Sequence, residues 1–299
     1  MRRKLVKQAG QAFTLTLPIE WIRSNGLEKG GEVEVIDRGK NILVRSSEKT
    51  ITGIVEFNIK GFSNRMKYTY INSAYALGVD EIDLETEEDY YHDLSQNMGF
   101  ALVSQKNDKS VIKDLGGVSP ENMDEIFKRA FQMLMEFYDK AVEDVFVEQK
   151  GNTKILNKID GEINKFTLFV ERSIMKLSYP SSTTGRIMFA YSFELEKIGD
   201  EILRLWRSGI KLNIERSKKV REITILAKDA LQKSFEVYYQ TSPSKMKELF
   251  AIKDSMRGKF SKLGKIDSDT MQFLMHASKI MEDSCDLIQL ALMRKMKPR

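Results

Sequence analysis

Apolar positions follow three regimes along the chain. From residue 4 to 46 they alternate in short runs: Phe13, Leu15 and Leu17, then Val33 and Val35, then Ile42 and Val44. A period of two predicts half-buried strands. An Ala9-Gly10 turn precedes the first run, and Arg38-Gly39-Lys40 between the last two marks a hairpin. Pro18 opens a short helix over Ile19 to Asn25, Gly26 and Leu27 read as its C-terminal cap, and Lys29-Gly30-Gly31 turns the chain.

From 51 to 117 the alternation changes. Ile51 to Ile59 reads as a strand, Asn64 to Leu77 as a helix, Glu81 to Glu85 as a strand, Glu87 to Gln96 as a helix, and Ala101-Leu102-Val103 and Val111-Ile112 as further strands. This predicts a small α/β domain, with His92 and Glu87-Glu88-Asp89 in a solvated helix N-terminal region. Gly116-Gly117-Val118-Ser119-Pro120 breaks the pattern, so a boundary falls near 117. Beyond it the apolar period is helical. Helices are predicted at about 120–148, 153–178, 183–212, 215–241, 243–263 and 268–296, in two three-helix units over 118–212 and 213–299. Leu195, Ile198, Ile202 and Leu205, with Leu226, Ala230 and Phe235, form core stripes. The expected fold is multidomain and mainly α, with domains 1–50, 51–117, 118–212 and 213–299.

One helical pattern occurs twice. Leu195-Glu196-Lys197-Ile198-Gly199-Asp200 and Met281-Glu282-Asp283-Ser284-Cys285-Asp286 both place a Glu four residues before an Asp, on one helix face. Upstream of each, Leu156 to Phe166 and Phe250 to Phe260 match, so Asp160 and Asp254 are equivalent. The joining hairpin differs between copies, with Tyr179-Pro180-Ser181-Ser182 in the longer and Gly264-Lys265-Ile266-Asp267 in the shorter. Like charges a turn apart repel, so a metal ion or a basic partner such as Lys158, Lys253 or Lys279 is the natural compensation.

Composition narrows the class. The 299 residues are 41% hydrophobic and 30% charged with five prolines, as in a soluble, helix-rich protein with room for two or three cores. No window supplies a membrane span, and basic Met1 to Lys7 is not followed by an apolar run, so secretion is not expected. A single cysteine, Cys285, excludes an internal disulfide framework and fits the cytoplasm. The net charge of +5 is uneven: residues 1 to 50 carry ten Lys/Arg against six Asp/Glu, and residues 51 to 117 six against eleven. A localised basic patch follows. His92 and His276 fall in different domains, and no phosphate loop or nucleophile elbow is present, so no enzyme is expected.

The order strand, turn, strand, Leu17-Pro18-Ile19-Glu20-Trp21, helix, Gly26-Leu27-Glu28-Lys29-Gly30, strand hairpin resembles the swapped-hairpin DNA-binding domain of AbrB-type transcription regulators, over about residues 3 to 46. Gly31 stands where that family commonly has Asp. The resemblance implies a homodimer of interleaved copies on double-stranded DNA. Arg2, Arg3, Lys4 and Lys7 at the first strand and Arg23 on the helix are the candidate phosphate contacts.

The repeat over 120–296 resembles the PhoU family of phosphate-signalling proteins, whose members typically read Leu-Glu-Arg-Ile-Gly-Asp where this chain has Leu195 to Asp200. With the head and acidic insert, the chain resembles archaeal phosphate uptake regulators. The resemblance implies a cytoplasmic transcriptional regulator of phosphate homeostasis whose helical tail senses phosphate status. It also implies a transition metal such as Fe or Zn at Asp160, Glu196 and Asp200, and at Asp254, Glu282 and Asp286. Full sites in that family often carry a second pair on the facing helix, where this chain has Leu156 and Phe250. An adaptor that docks on a phosphate transporter or signalling kinase, using the head only to dimerise, is the alternative. A metal-storage or metal-sensing bundle is a third.

Overall fold

The computed structural model describes residues 3–8, 12–37, 42–46, 53–88, 90–116, 123–177 and 182–296. It forms two compact units, Met1–Thr52 and Gly53–Arg299. The expected turns at Ala9-Gly10 and Arg38 to Lys40, and the break at Gly117 to Pro120, lie outside the described residues.

The first unit, the head, has two antiparallel pairs, β1 (Val6–Lys7) with β2 (Phe13–Thr14) and β3 (Val33–Asp37) with β4 (Ile42–Ser46), and the short helix α1 (Ile19–Ser24). Pro18 occupies the N-cap rather than the first helical turn. At the other end Leu27 N–H donates to the Ile22 carbonyl at 3.0 Å and Gly26 N–H to the Arg23 carbonyl at 3.2 Å, with Gly26 at φ +63°. That is the Schellman cap, and the positive φ is why a glycine stands there. The expected half-buried strand over Phe13, Leu15 and Leu17 is shorter and lies open: Phe13 and Leu15 are exposed. No described head side chain is buried.

The second unit starts with an α/β layer. Strand β5 (Ile54–Asn58) crosses through α2 (Asn64–Leu77) to parallel β6 (Glu81–Glu85), and the hairpin β7 (Phe100–Lys106) and β8 (Lys109–Asp114) completes a sheet of order β5-β6-β8-β7. Ile71 and Tyr75 of α2 pack on Ile82, Leu84 and Ile112 of the sheet. Among the described residues from Glu87 to Gln96 no helix forms, where one was expected. Lys67 is buried and needs a counterion; Glu87 supplies it, also accepts Gly61 N–H at 2.7 Å, and is held down to about 2, chiefly by the Lys67 hydrogen bond. His92 is buried against the edge of Tyr90 rather than solvated.

Six helices follow. They are α3 (Met123–Glu143, continued by a π-turn over Asp144–Glu148), α4 (Thr153–Leu177), α5 (Ser182–Lys211), α6 (Lys218–Tyr239), α7 (Pro243–Phe260) and α8 (Ser268–Lys295). The two three-helix units share one apolar core. Equivalent helices meet antiparallel: Tyr191 Oη on α5 donates to the Leu287 carbonyl on α8 at 2.9 Å, and His276 Nδ1 on α8 lies 2.6 Å from Glu201 Oε1 on α5. Asp144 closes the α3–α4 connection, accepting from Trp206 Nε1 at 2.8 Å and from the backbone N–H groups of Lys150 and Asn152.

The two copies differ in the length of a helix. The expected longer hairpin over Tyr179 to Ser182 lies outside the described residues except for Ser182, which opens α5; in the second copy 261–267 connect α7 to α8. The extra length is in α4, which runs from Asp160 on to Leu177, whereas α7 stops at Phe260 just past Asp254. About three additional turns result. They carry Arg172 and Lys176, which hold the α/β layer. Arg172, fully buried, donates to the Tyr75 carbonyl at 2.9 Å and to Asp114 Oδ2 at 2.8 Å, with its guanidinium over the rings of Tyr75 and Phe100. Lys176 bridges Asp80 and Asp114 and packs beside Gly78, whose φ of +93° ends α2.

Burial alone would raise Asp114, but Lys176, Arg172 and the Gly116 N–H hold it down to about 2. A carboxylate lowered in the folded state adds stability above its unfolded value near 4, and the gain disappears as pH falls toward 2; here it amounts to roughly 2 kcal/mol. Arg172→Leu leaves Asp114 short of its buried partner and should destabilise the chain by about 3 kcal/mol at pH 7 in urea titrations, and by less at pH 3. A loss below about 1 kcal/mol at pH 7 contradicts this docking role.

Candidate functional site

In the head, β1 and the residues before it expose Arg3, Lys4 and Lys7, and the last turn of α1 exposes Arg23. Arg2 lies outside the described residues. The same strands and helix expose apolar side chains: Val6, Phe13, Ile19, Val35 and Ile42 are each 57–69% accessible. A cationic edge thus accompanies an apolar surface that this unit cannot bury by itself.

In the helical part the first acid set converges. Glu196 and Asp200 share a face of α5, and Asp160 faces them from α4. Asp160 is pushed up to about 6 by burial and by the Asp200 charge, and Glu196 is raised by burial and then by Asp200 and Asp160. Arg204 neutralises one end, donating to Asp200 Oδ2 and to Glu201 Oε2 at 2.7 Å each. A fourth acid joins that the sequence reading missed. Glu171 on α4 is only 5% exposed, lies 3.2 Å from Ser192 Oγ, and is pushed up to about 7, chiefly by burial and further by Glu196. A signal was present: eleven residues after Asp160 is three turns, so Glu171 repeats the Asp160 face of the helix.

The second set is not equivalent. Lys253 pairs with Glu282, and Arg257 Nη2 lies 3.8 Å from it, the basic compensation open in the sequence. Lys279 pairs instead with Asp283. Asp254 and Asp286 stay outside this pairing. Among the described residues no group of three or more acids, histidines or cysteines is placed to hold a metal ion. The implied Fe or Zn set does not meet that arrangement among the described residues. His276 is half-buried and bonds Glu201, whose burial penalty is outweighed by His276 and Arg204. The Cys285 thiol is buried and pushed up to about 11, chiefly by burial, which leaves it unreactive at neutral pH.

A family model described as antidote-toxin recognition MazE, bacterial antitoxin, matches residues 6–52. The head is therefore similar to MazE/AbrB-like domains. Comparisons with curated proteins and with solved structures found no match. Among the described residues no helix is long and apolar enough to cross a membrane.

Glu171 is a carboxyl raised in the folded state. Between its ordinary value of 4.5 and about 7, the folded chain keeps a proton that the unfolded chain has lost. Stability therefore falls as pH rises through that window, and the penalty is complete above it. Glu171→Gln mimics the protonated acid, so it should match the parent at pH 5 and be more stable at pH 8, by on the order of 1–3 kcal/mol in chemical denaturation. An equal difference at both pH values would show that burial does not raise this group.

Proposed function

We propose that the protein is a cytoplasmic, homodimeric, DNA-binding regulator of phosphate uptake that acts by binding rather than by catalysis. The observation that carries this is a MazE/AbrB-like head with exposed cations and, among its described residues, no buried side chain. Domains of that kind commonly bind DNA and dimerise. A second copy would cover Phe13, Ile19 and Val35 and present Arg3, Lys4, Lys7 and Arg23 twice along a duplex. The phosphate assignment rests on the PhoU-like repeat around Glu196-x-x-x-Asp200 and Glu282-x-x-x-Asp286. A ligand or partner on the helical unit alters DNA affinity only by its own difference in affinity for the two states.

Two other readings have support. The family description favours an antitoxin-type role, in which the segment after the head covers a toxin. Against it, that segment here folds around cores of its own. The repeat alone is compatible with an adaptor on a phosphate transporter or a signalling kinase.

Fluorescence anisotropy with the protein's own upstream DNA and an unrelated duplex, at low and physiological salt, separates these. Own-site binding should persist at physiological salt. Replacing Arg3, Lys4, Lys7 and Arg23 together by Ala should weaken it by about 100-fold or more and flatten the salt dependence, while the dimer survives. Unchanged affinity in that variant refutes the assigned contacts, and no binding to either duplex by the parent transfers the weight to the adaptor.

A further inference from the structure

Between α2 and helices α4 and α5 lies a cavity of about 510 Å³. Its walls are mostly apolar, with Leu77 from α2, Leu168 from α4 and the Phe189–Phe193 pair from α5, whose ring centroids are 5.2 Å apart. The polar lining is selective. Glu171 and Glu196 open into the space together with the neutral Asn72, Gln96 and Asn164, and no Lys, Arg or His is among the lining residues. A volume in this range holds a compact organic molecule. The sign of the charge excludes an anion.

Glu171 is poorly supplied with partners. The Ser192 hydroxyl has one proton and lies closer to the Phe189 carbonyl, at 2.8 Å, than to Glu171 Oε1, at 3.2 Å. That one long hydrogen bond from Ser192 favours the ionised form but does not offset burial, which with the Glu196 charge pushes the carboxyl up to about 7. Glu196 lies close enough to raise Glu171 further and makes no ion pair of its own among the described residues; Arg204 is committed to Asp200 and Glu201, and Lys197 to Glu194. Two under-compensated carboxyls beside an apolar wall suit a ligand with one cationic end and one hydrocarbon end. A bare metal ion would leave that wall unused.

We propose that this cavity binds an organic ammonium ion, its charged nitrogen between Glu171 and Glu196 and its hydrocarbon body against Leu168, Phe189 and Phe193. Binding is non-covalent and linked to a proton: the ammonium group favours ionised Glu171, so a proton leaves the carboxyl for solvent as the ligand enters. Because the walls come from both the α/β layer and the bundle, the ligand also ties those layers together. Neither DNA binding by the head nor phosphate sensing is assumed.

The test is calorimetry on the full chain at pH 7 with hexylamine, hexan-1-ol and hexanoate, each in phosphate and in HEPES buffer. Hexylammonium should bind at least tenfold more tightly than hexanol, hexanoate should not bind, and the heat for hexylammonium should change with buffer because a proton is released. Glu171→Gln should lose both the ammonium preference and the proton release. Ala76→Phe, which adds bulk to the cavity wall but leaves both carboxyls, should lose hexylammonium binding. Thermal transitions establish that each variant is folded. Equal affinity for hexylammonium and hexanol, no heat with any probe, or undiminished hexylammonium binding in either folded variant overturns the proposal.

Discussion

A chain segment that buries no side chain has nothing to offset the entropy lost on folding. The described residues of the head are in that position: the strands are short, the helix has six residues, and Val6, Phe13, Ile19, Val35 and Ile42 are exposed. Local devices such as the Schellman cap at Gly26 set the backbone path but contribute little burial. In the proposed dimer a second head, which repeats the same groups with two-fold symmetry, supplies the missing apolar contacts. The two-fold pairing of cations that the DNA reading needs follows from the same requirement.

The helical unit solves a different problem. Its two halves descend from one pattern, yet a few turns of helix separate their chemistry. The extension of α4 carries Arg172 and Lys176 to Asp114 and so docks the α/β layer. It also buries Glu171 on the face shared with Asp160. In the second copy α7 stops early, and Lys253 and Arg257 neutralise Glu282. The first copy therefore keeps an under-compensated acidic face beside an apolar cavity, whereas the second is a salt-bridged surface.

Much of this was legible in the amino-acid order because periodicity reports burial. The six helices from α3 to α8 lie close to where the apolar period placed them, and the α1 cap follows from Gly26-Leu27. Glu87 to Gln96 failed because local acidity reads as a helix start, whereas the decisive partner, Lys67, is twenty residues away. His92 was misplaced for the same reason. The repeat made Asp160 and Asp254 equivalent and placed each Glu a turn before its Asp, but charge pattern alone could not show that Lys253 covers Glu282. Glu171 escaped notice because a single acid three turns beyond Asp160 gains meaning only when the neighbouring helix is known. The length difference between copies was visible; its location in a helix was not.

Sedimentation equilibrium of the full chain at micromolar concentration addresses the head's requirement most directly. A particle of twice the 34.5 kDa chain mass, reverting to a single chain when Phe13 and Ile19 are both changed to Asp, is the expected result. A monomer of 34.5 kDa whose head is nevertheless folded and protected from proteolysis would contradict it.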